Sequence, residues 1–327
     1  MIKLSVIIPV FNVASYVGQC IQSVLQQTCV NMEVICIDDG SSDNSAVIVQ
    51  QISDQDNRVQ LHRQKNQGQA AARNRGMELA RGEFIYFLDA DDYIDSSFAE
   101  ECINEMTAND YDLLFFDGNT FTVDDLSGQE EHNCPQLYQR ITSYPGVWKG
   151  SDLFAEMMKR REFRVQPCMY ITRRDFIIDN KLTFPEGIIR EDELYTVQAI
   201  LSAKRCGHLD RILFNRRLHS NSTMTSRPAD QHVEGLIAVS QGYRSTAKTM
   251  RISVRAGWWL LLKNYGAVRT IMRLVVQHPV SAKTRRSALG GLMQVLLHTI
   301  EFLFCPISNT VKKQRRTNLH HSREEKV

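Results

Sequence analysis

Apolar residues in the first 120 positions come in short runs separated by amphipathic stretches. Leu4-Ser-Val-Ile-Ile-Pro-Val10 reads as a buried strand, ended by Pro9 and a Phe11-Asn12 turn. Ser15 precedes Val17, Ile21, Val24 and Leu25, the spacing of a helix with one core-facing stripe. Glu33-Val-Ile-Cys-Ile37 is a second strand that stops at Asp38-Asp39-Gly40. Helical residues 43–54, a strand at 58–62 and an Ala-rich helix at 69–80 follow. Phe84-Ile-Tyr-Phe-Leu88 is another strand, stopping at Asp89-Ala-Asp-Asp92, and residues 111–116 are a further one. Strands alternating with helices of this length predict βαβ units: an α/β fold with a mainly parallel sheet and helices on both faces.

Residues 122–150 are rich in Asp, Gly, Pro and Ser and read as a loop or hairpin excursion. Order returns at 151–216, with helices near 152–160 and 192–203 and a strand near 208–215. From about 230 the pattern is helical. The expected division is a unit over 1–226, in halves of about 1–118 and 119–226, followed by a C-terminal α-helical extension over 227–327 with a mobile end.

Composition adds two points. The chain has 327 residues, 43% hydrophobic and 23% charged, a globular balance that excludes wholesale disorder. Its eight cysteines include no CxxC pair, and Met1 leads straight into a strand-like run with no signal peptide, so free thiols in a reducing cytoplasm are expected. The net charge of +2 hides a split: residues 227–327 hold 17 Lys or Arg against 5 Asp or Glu, while the rest holds 22 against 32. Between Glu234 and Glu301 there is no carboxylate and there are ten cations. The front part can gather divalent cations, and the back part is drawn to anionic surfaces.

Two strands end in carboxylate pairs. Ligands of open parallel sheets bind beyond the carboxyl ends of the strands, so Asp38/Asp39 and Asp89/Asp91 are expected on one rim. Crowding ionised carboxylates costs about 1–4 kcal/mol per close pair, which a cation or hydrogen-bond donor offsets. In an extended Asp-Ala-Asp the two carboxylates share a face, one available to a ribose and one to a metal. Hard oxygen ligands select Mg²⁺ or Mn²⁺, with a diphosphate completing the shell.

Ser5-Val-Ile-Ile-Pro-Val-Phe-Asn12, Asp38-Asp-Gly-Ser-Ser-Asp43, Asn66-Gln-Gly-Gln-Ala-Ala-Ala-Arg-Asn-Arg-Gly76 and Phe87-Leu-Asp-Ala-Asp-Asp92 stand in one order. In that order and spacing they closely resemble the inverting family 2 glycosyltransferases of bacterial polysaccharide biosynthesis, which have the GT-A fold. The resemblance covers about 1–110 strongly and 160–226 reasonably, is weak over 120–150, and gives no specific signal after about 230. It implies that Pro9 and Phe11 line a nucleotide base pocket and that Asp39 accepts a hydrogen bond from uracil. It also implies that Asp89 faces the ribose side of the donor and that Asp91 holds the divalent metal bridging the phosphates. Arg73 lies near the nucleotide, paired with Asp39 or a phosphate, or else in a structural ion pair beneath the sheet rim.

Phe184-Pro-Glu-Gly-Ile-Ile-Arg-Glu-Asp-Glu-Leu-Tyr195 resembles the family's Glu-Asp segment, which makes Asp192 the general base. Inversion needs one carboxylate on the acceptor side, because the hydroxyl attacks opposite the departing diphosphate. Read alone, Glu191-Asp192-Glu193 is first of all a helix start, its carboxylates favouring the N-terminal dipole. Arg216-Arg217-Leu-His219 resembles the segment closing the domain in related transferases. There Arg217 and His219 are candidate diphosphate contacts, although His219 stands where an arginine is often found.

The function implied is transfer of a sugar from a UDP-sugar to a hydroxyl of a glycan or lipid-linked oligosaccharide acceptor. The alternatives are a nucleotidyltransferase making nucleotide sugars and a non-catalytic nucleotide-sugar or membrane-binding module. The first lacks its Gly-rich loop here, since the first strand leads into Pro9-Val-Phe-Asn12. A dehydrogenase is disfavoured by the same missing glycines, and a nucleic-acid binder by the acidic core. In the tail, Trp258-Trp259-Leu-Leu-Leu262 followed by Lys263, Arg269 and Arg273 fits a helix in a membrane interface. Segment 287–311 carries one charge, Glu301, near its middle, which favours surface attachment or burial over a span. The expected location is cytoplasmic, peripheral on the inner face of the plasma membrane.

Overall fold

The computed structural model describes residues 2–293 except 29–30, 124–129, 132–135, 219–228, 251, 278–279 and 292. Strands β1 (Leu4–Val10), β2 (Met32–Asp38), β3 (Val59–Arg63) and β4 (Phe84–Phe87) alternate with helices α1 (Val17–Leu25), α2 (Ser45–Ser53) and α3 (Gln69–Leu79). Then come β5 (Tyr93–Ile94), α4 (Phe98–Ala108), β6 (Leu113–Val123), β7 (Glu130–Glu131), α5 (Gly150–Arg160), β8 (Tyr170–Arg173) and α6 (Arg174–Asp179). The chain continues through α7 (Glu191–Ser202), β9 (Cys206–Leu218), α8 (Ala229–Thr249) and α9 (Val254–Gln277).

The strands form one sheet in the order β3-β2-β1-β4-β8-β6-β9-β5, with β7 on β6. The α/β layout expected from the sequence is present, and the sheet is mixed. Pairings among β1 to β4 are parallel, β8 runs antiparallel to both β4 and β6, and β6 pairs parallel with β9. Strand β8 gave no signal of its own: it is four residues long, follows a 3₁₀ turn and passes directly into α6. The excursion after residue 122 keeps a short hairpin, β7 pairing antiparallel with the end of β6.

Both faces of the sheet's centre are covered, so β1, β2 and β4 are buried along their whole length and mostly apolar rather than alternating. Val6, Ile8, Val34 and Cys36 face one core, and Ile7, Ile35, Ile37 and Phe87 face the other. Val6, Ile7 and Ile8 are all fully buried, each contributing about 1.5–3 kcal/mol. The described cysteines 20, 36, 102, 168 and 206 are buried thiols, free as expected.

Pro9 sits in a central strand because β4 ends early. The β1–β4 register stops at Ile7↔Phe87, so the missing Pro9 N–H points past the neighbour's end. On the other side, β1 keeps pairing with β2 out to Val10↔Asp38.

The expected C-terminal helical extension is present, and it packs into the core. Val239 and Tyr243 of α8 and Ala256 and Leu260 of α9 belong to the same core cluster as Ile7, Phe87, Tyr195 and Ile200. Helix α8 comes close to the start of α7 because two of its positions have no side chain. A Cβ at Gly235 would lie 2.5 Å from the Ile189 carbonyl oxygen, and one at Gly242 would lie 2.5 Å from Leu194 Cδ2.

Candidate active site

The carboxyl ends of β1, β2 and β4 lie side by side in the sheet, and the loops leaving them carry the polar residues singled out above. These loops are tied to one another. The Asn12 side-chain oxygen accepts from the Ser42 amide (2.8 Å) and hydroxyl (3.2 Å), and the Val13 amide donates to Ser45 Oγ (2.8 Å). Asn12 has φ 52°, a left-handed conformation that Asn tolerates better than most residues. Phe11 is left 48% exposed at the mouth of this junction, its ring available for stacking, while Pro9 is buried beneath it.

Asp39 is buried and largely occupied. Its Oδ1 accepts from Gln64 Nε2 (2.8 Å) and the Gln67 amide (2.9 Å), and its Oδ2 from the Gly68 amide (2.8 Å). These bonds take three of about four lone-pair sites, so a uracil N–H would use the remaining one on Oδ2. The carboxylate thus also holds the loop that leads into α3.

Arg73, on α3, is the buried centre of the site. Its Nη2 donates to Asp89 Oδ1 (2.8 Å) and its Nη1 to Glu191 Oε1 (3.0 Å), with the guanidinium 5.2 Å from the Phe184 ring centre. The pairing with Asp39 expected as one option does not form, because that carboxylate is taken by the 64–68 loop. The ion pair beneath the rim is what forms. Burial opposes the guanidinium's charge, yet Asp89, Glu191 and Asp192 together hold its pKa above the usual arginine value. Gln69 adds a second donor to Asp89 Oδ1 (2.9 Å).

The turn after β4 is acidic and braced by β9. Asp92 is buried, accepts from the Arg217 amide (2.8 Å), and is pushed well above the usual carboxylate range by burial and then by the charge of Asp91. Arg216 pulls the other way, lying against the Tyr138 ring. Arg217 is buried between the rings of Tyr16 and Phe121; its Nε donates to the Asp91 carbonyl (2.9 Å) and its Nη2 to Gln19. It therefore acts as a strut fixing the Asp91 backbone. His219 lies outside the described residues.

Across the site, α7 opens with three consecutive carboxylates after Arg190, itself left-handed at φ 68°. Their surroundings separate them. Glu191 is bound to Arg73. Burial disfavours the Glu193 anion, but Lys263 (3.3 Å), Arg190 (2.9 Å) and the Tyr243 hydroxyl (3.0 Å) outweigh it and hold its carboxyl below the usual range. Asp192 forms no ion pair with any described residue. Burial, then the Glu191 charge, push it up to about 7, against Arg73 and the Glu193 amide (2.9 Å). One carboxyl poised near neutrality between two fixed anions is the electronic pattern of an acid–base group.

The bridging guanidinium joins Asp89 to Glu191, about a hundred positions apart in the chain. Several contributors were invisible beforehand: Glu191 had no assigned duty, Gln69 and Asp92 stood inside the quoted motifs without a role, and Gln19 belonged to no motif. Lys263 was read as a membrane-facing cation and points the other way, into the site's supports. Its signal was available, since it falls on the side of α9 that carries Leu260, Asn264 and Ala267, all buried.

Comparison with known proteins agrees with this arrangement. The model of the family "Glycosyl transferase family 2" matches residues 5–162. Glycosyltransferase GlyG of Streptococcus pneumoniae is 37% identical over 232 residues, 68% of this chain and 72% of that protein. Glycosyltransferase YibD of Escherichia coli is 31% identical over 220 residues, 67% of this chain and 62% of that protein. The aligned part of the chain thus spans a little over three fifths of YibD. Among solved structures, S. aureus TarS 1–349 in complex with UDP-GlcNAc superposes with TM-score 0.69 at 20% identity, covering 90% of this chain and 80% of that one. That likeness establishes the GT-A fold. Together with the GlyG alignment and the family match, it places this chain in glycosyl transferase family 2.

Proposed function

We propose that the protein is an inverting glycosyltransferase that moves a sugar from a UDP-sugar to a hydroxyl of a glycan or lipid-linked oligosaccharide. The observation that supports this reading is the Arg73 bridge, which ties Asp89 of the acidic turn to Glu191, the residue next to Asp192, and whose charge is felt by Asp192. In it, Asp192 is the general base: its carboxylate accepts the proton of the acceptor hydroxyl as that oxygen bonds to the anomeric carbon and the bond to UDP breaks. A pKa near 7 leaves much of the group ionised at neutral pH and still basic enough to take the proton.

Phe11 stacks on the base, Asp39 receives its N–H through the remaining acceptor site, and Asp89, fixed by Arg73 and Gln69, faces the ribose. Asp91 would hold Mg²⁺ or Mn²⁺. The turn suits such an ion: its side-chain donors are all carboxylate oxygens, and after burial it is the charge of Asp91 that raises Asp92. An ion held there would take further ligands from a diphosphate and water. Bound there, the ion would act as a Lewis acid on the leaving diphosphate.

The UDP-sugar donor draws support from TarS, solved with UDP-GlcNAc, and the metal from the mannosyltransferase PcManGT of Pyrobaculum calidifontis, solved with GDP-Man and Mn²⁺. PcManGT superposes with TM-score 0.55 at 12% identity, covering 92% of this chain. A lipid-linked acceptor accords with a cytoplasmic protein attached peripherally to an anionic membrane face. No helix among the described residues is long and apolar enough to cross a membrane. The reading is tested by thermal shift with a panel of nucleotide sugars, with and without Mn²⁺. A UDP-sugar should stabilise the fold more when the metal is present, and Asp91→Ala should abolish the metal's increment. Equal shifts for all nucleotides, or an Asp91→Ala protein with the increment intact, would refute it.

A further inference from the structure

Helix α9 is apolar on two opposite sides. Ala256, Leu260, Ala267 and Ile271 are buried against the core. On the far side Trp258, Leu262, Tyr265, Arg269, Met272 and Val276 follow one another at spacings of four and three residues. At 100° per residue these six fall within an arc of about 80°. All six are exposed, Tyr265 to 63% and Val276 to 79%. A helix apolar on both sides belongs in an interior or at an interface, so a continuous outward stripe of this kind implies a cover.

The charge around the stripe identifies that cover. Arg269 lies within it and Arg273 beside it, and the next helical stretch, 282–291, adds exposed Lys283, Arg285 and Arg286 and an exposed Leu289. No carboxylate occurs anywhere between Glu234 and Glu301. A second copy of this chain is a poor match, because a two-fold contact would set each stripe against itself and Arg269 and Arg273 against their own copies, with no anion at hand. A surface offering hydrocarbon at one depth and fixed negative charge just above it matches both features at once.

We infer that the outward face of α9 lies on the surface of an anionic lipid bilayer, with Trp258, Leu262, Tyr265, Met272 and Val276 at the headgroup boundary and the basic residues of α9 and 282–291 among the headgroups. This deepens the membrane placement proposed above and leaves the catalytic reading independent of it. Because Lys263 lies on the inner side of the same helix, against Glu193, the docked face points away from the start of α7 and leaves the base and its supports clear of the lipid.

The experiment uses the full chain and vesicles of phosphatidylcholine alone or mixed in equal parts with phosphatidylglycerol. Sedimentation should recover the protein with the mixed vesicles and not with the neutral ones, with a blue shift of tryptophan emission. Arg269→Glu with Arg273→Glu should lower binding on the order of a thousandfold, from about 1 kcal/mol for each of the four units of charge changed near the surface. Leu262→Ser with Val276→Ser should lower it about tenfold, part of the value of two buried aliphatic side chains. The UDP-linked thermal shift, measured on each variant, should be unchanged and certifies both the fold and the donor site. Two results would overturn the inference: vesicle binding that both double variants retain, or no vesicle binding together with a dimer that Leu262→Ser/Val276→Ser dissociates. Loss of the UDP shift in the unmodified chain would instead count against the catalytic proposal.

Discussion

Replacing Asp192 by Asn should remove the activity and, above neutral pH, make the protein more stable. Asp192 ionises in the folded chain at about 7, raised by burial and by Glu191, against about 3.9 when unfolded. A carboxyl raised on folding contributes fully at low pH, and that contribution is lost as pH climbs through the folded value. Three units correspond to a ceiling of about 4 kcal/mol; with the partial solvent contact Asp192 keeps, about 1–3 kcal/mol is a fair expectation. Asn keeps the shape, and its oxygen can still accept from the Glu193 amide, so the substitution deletes the charge and little else. At about 2 °C per kcal/mol for a chain of this size, melting should rise by about 2–6 °C at pH 8. The gain should shrink toward pH 5, where the wild-type carboxyl is already protonated. Differential scanning fluorimetry across that range reads the gain, and UDP release reads turnover, which should fall by about 10²–10⁴ with donor affinity nearly unchanged. A stability gain independent of pH would show that the charge was not its source. Retained turnover would show that the base lies elsewhere.

Arg73→Met strips two buried carboxylates of their partner and should cost about 3–5 kcal/mol; melting within 2 °C of wild type, about 1 kcal/mol, would refute the central role of the bridge. Arg73→Lys should recover only part, since a point charge cannot fork between Asp89 and Glu191. Lys263→Met leaves the Glu193 charge less neutralised beside Asp192. The acid limb of the turnover profile should move to higher pH by up to about one unit, with Lys263→Arg restoring it; an unmoved limb would disconnect α9 from the base. Gly235→Ala should destabilise by about 1–3 kcal/mol despite alanine's better helix propensity, because the new methyl meets the Ile189 carbonyl oxygen. Gly266→Ala, with nothing within 4 Å of the new methyl, should stabilise by up to about 1 kcal/mol, and the contrast is read from paired melting curves.

What the sequence made legible follows from how local each signal is. Strands β1, β2 and β4 are buried on both faces, so they read as apolar runs rather than alternations, and β2 and β4 end at the Asp pairs that mark the rim. Strand β8 escaped because four residues without flanking turn residues carry no period to detect. The same distinction holds in the site. Asp39, Asp89, Asp91 and Asp192 stand in strings long enough to compare with a family. Glu191 acquires its duty only once α3 brings Arg73 to it across 118 positions. The pairing of Arg73 with Asp39, one of the options left open, does not form: the guanidinium's Nη donors go to Asp89 and Glu191, while the 64–68 amides fill three of about four acceptor sites on Asp39.

The basic tail shows how composition speaks for a region and can miss a residue. Charge counting treats 227–327 as one object with one partner. A helix has two sides, however, and α9 uses them differently. Its inward side buries Leu260 and Ala267 and sends Lys263 to Glu193, so it belongs to the energetics of the base. Its outward side carries Trp258, Tyr265 and Arg269 and belongs to whatever covers it. Deleting everything after residue 230 would therefore confound the two, because it removes Tyr243 and Lys263 from the Glu193 carboxylate along with the outer stripe. Point substitutions on the outer side separate them. If vesicle binding falls while the pH profile of turnover stays fixed, the two sides are independent; if both change together, docking reaches the base through the helix itself.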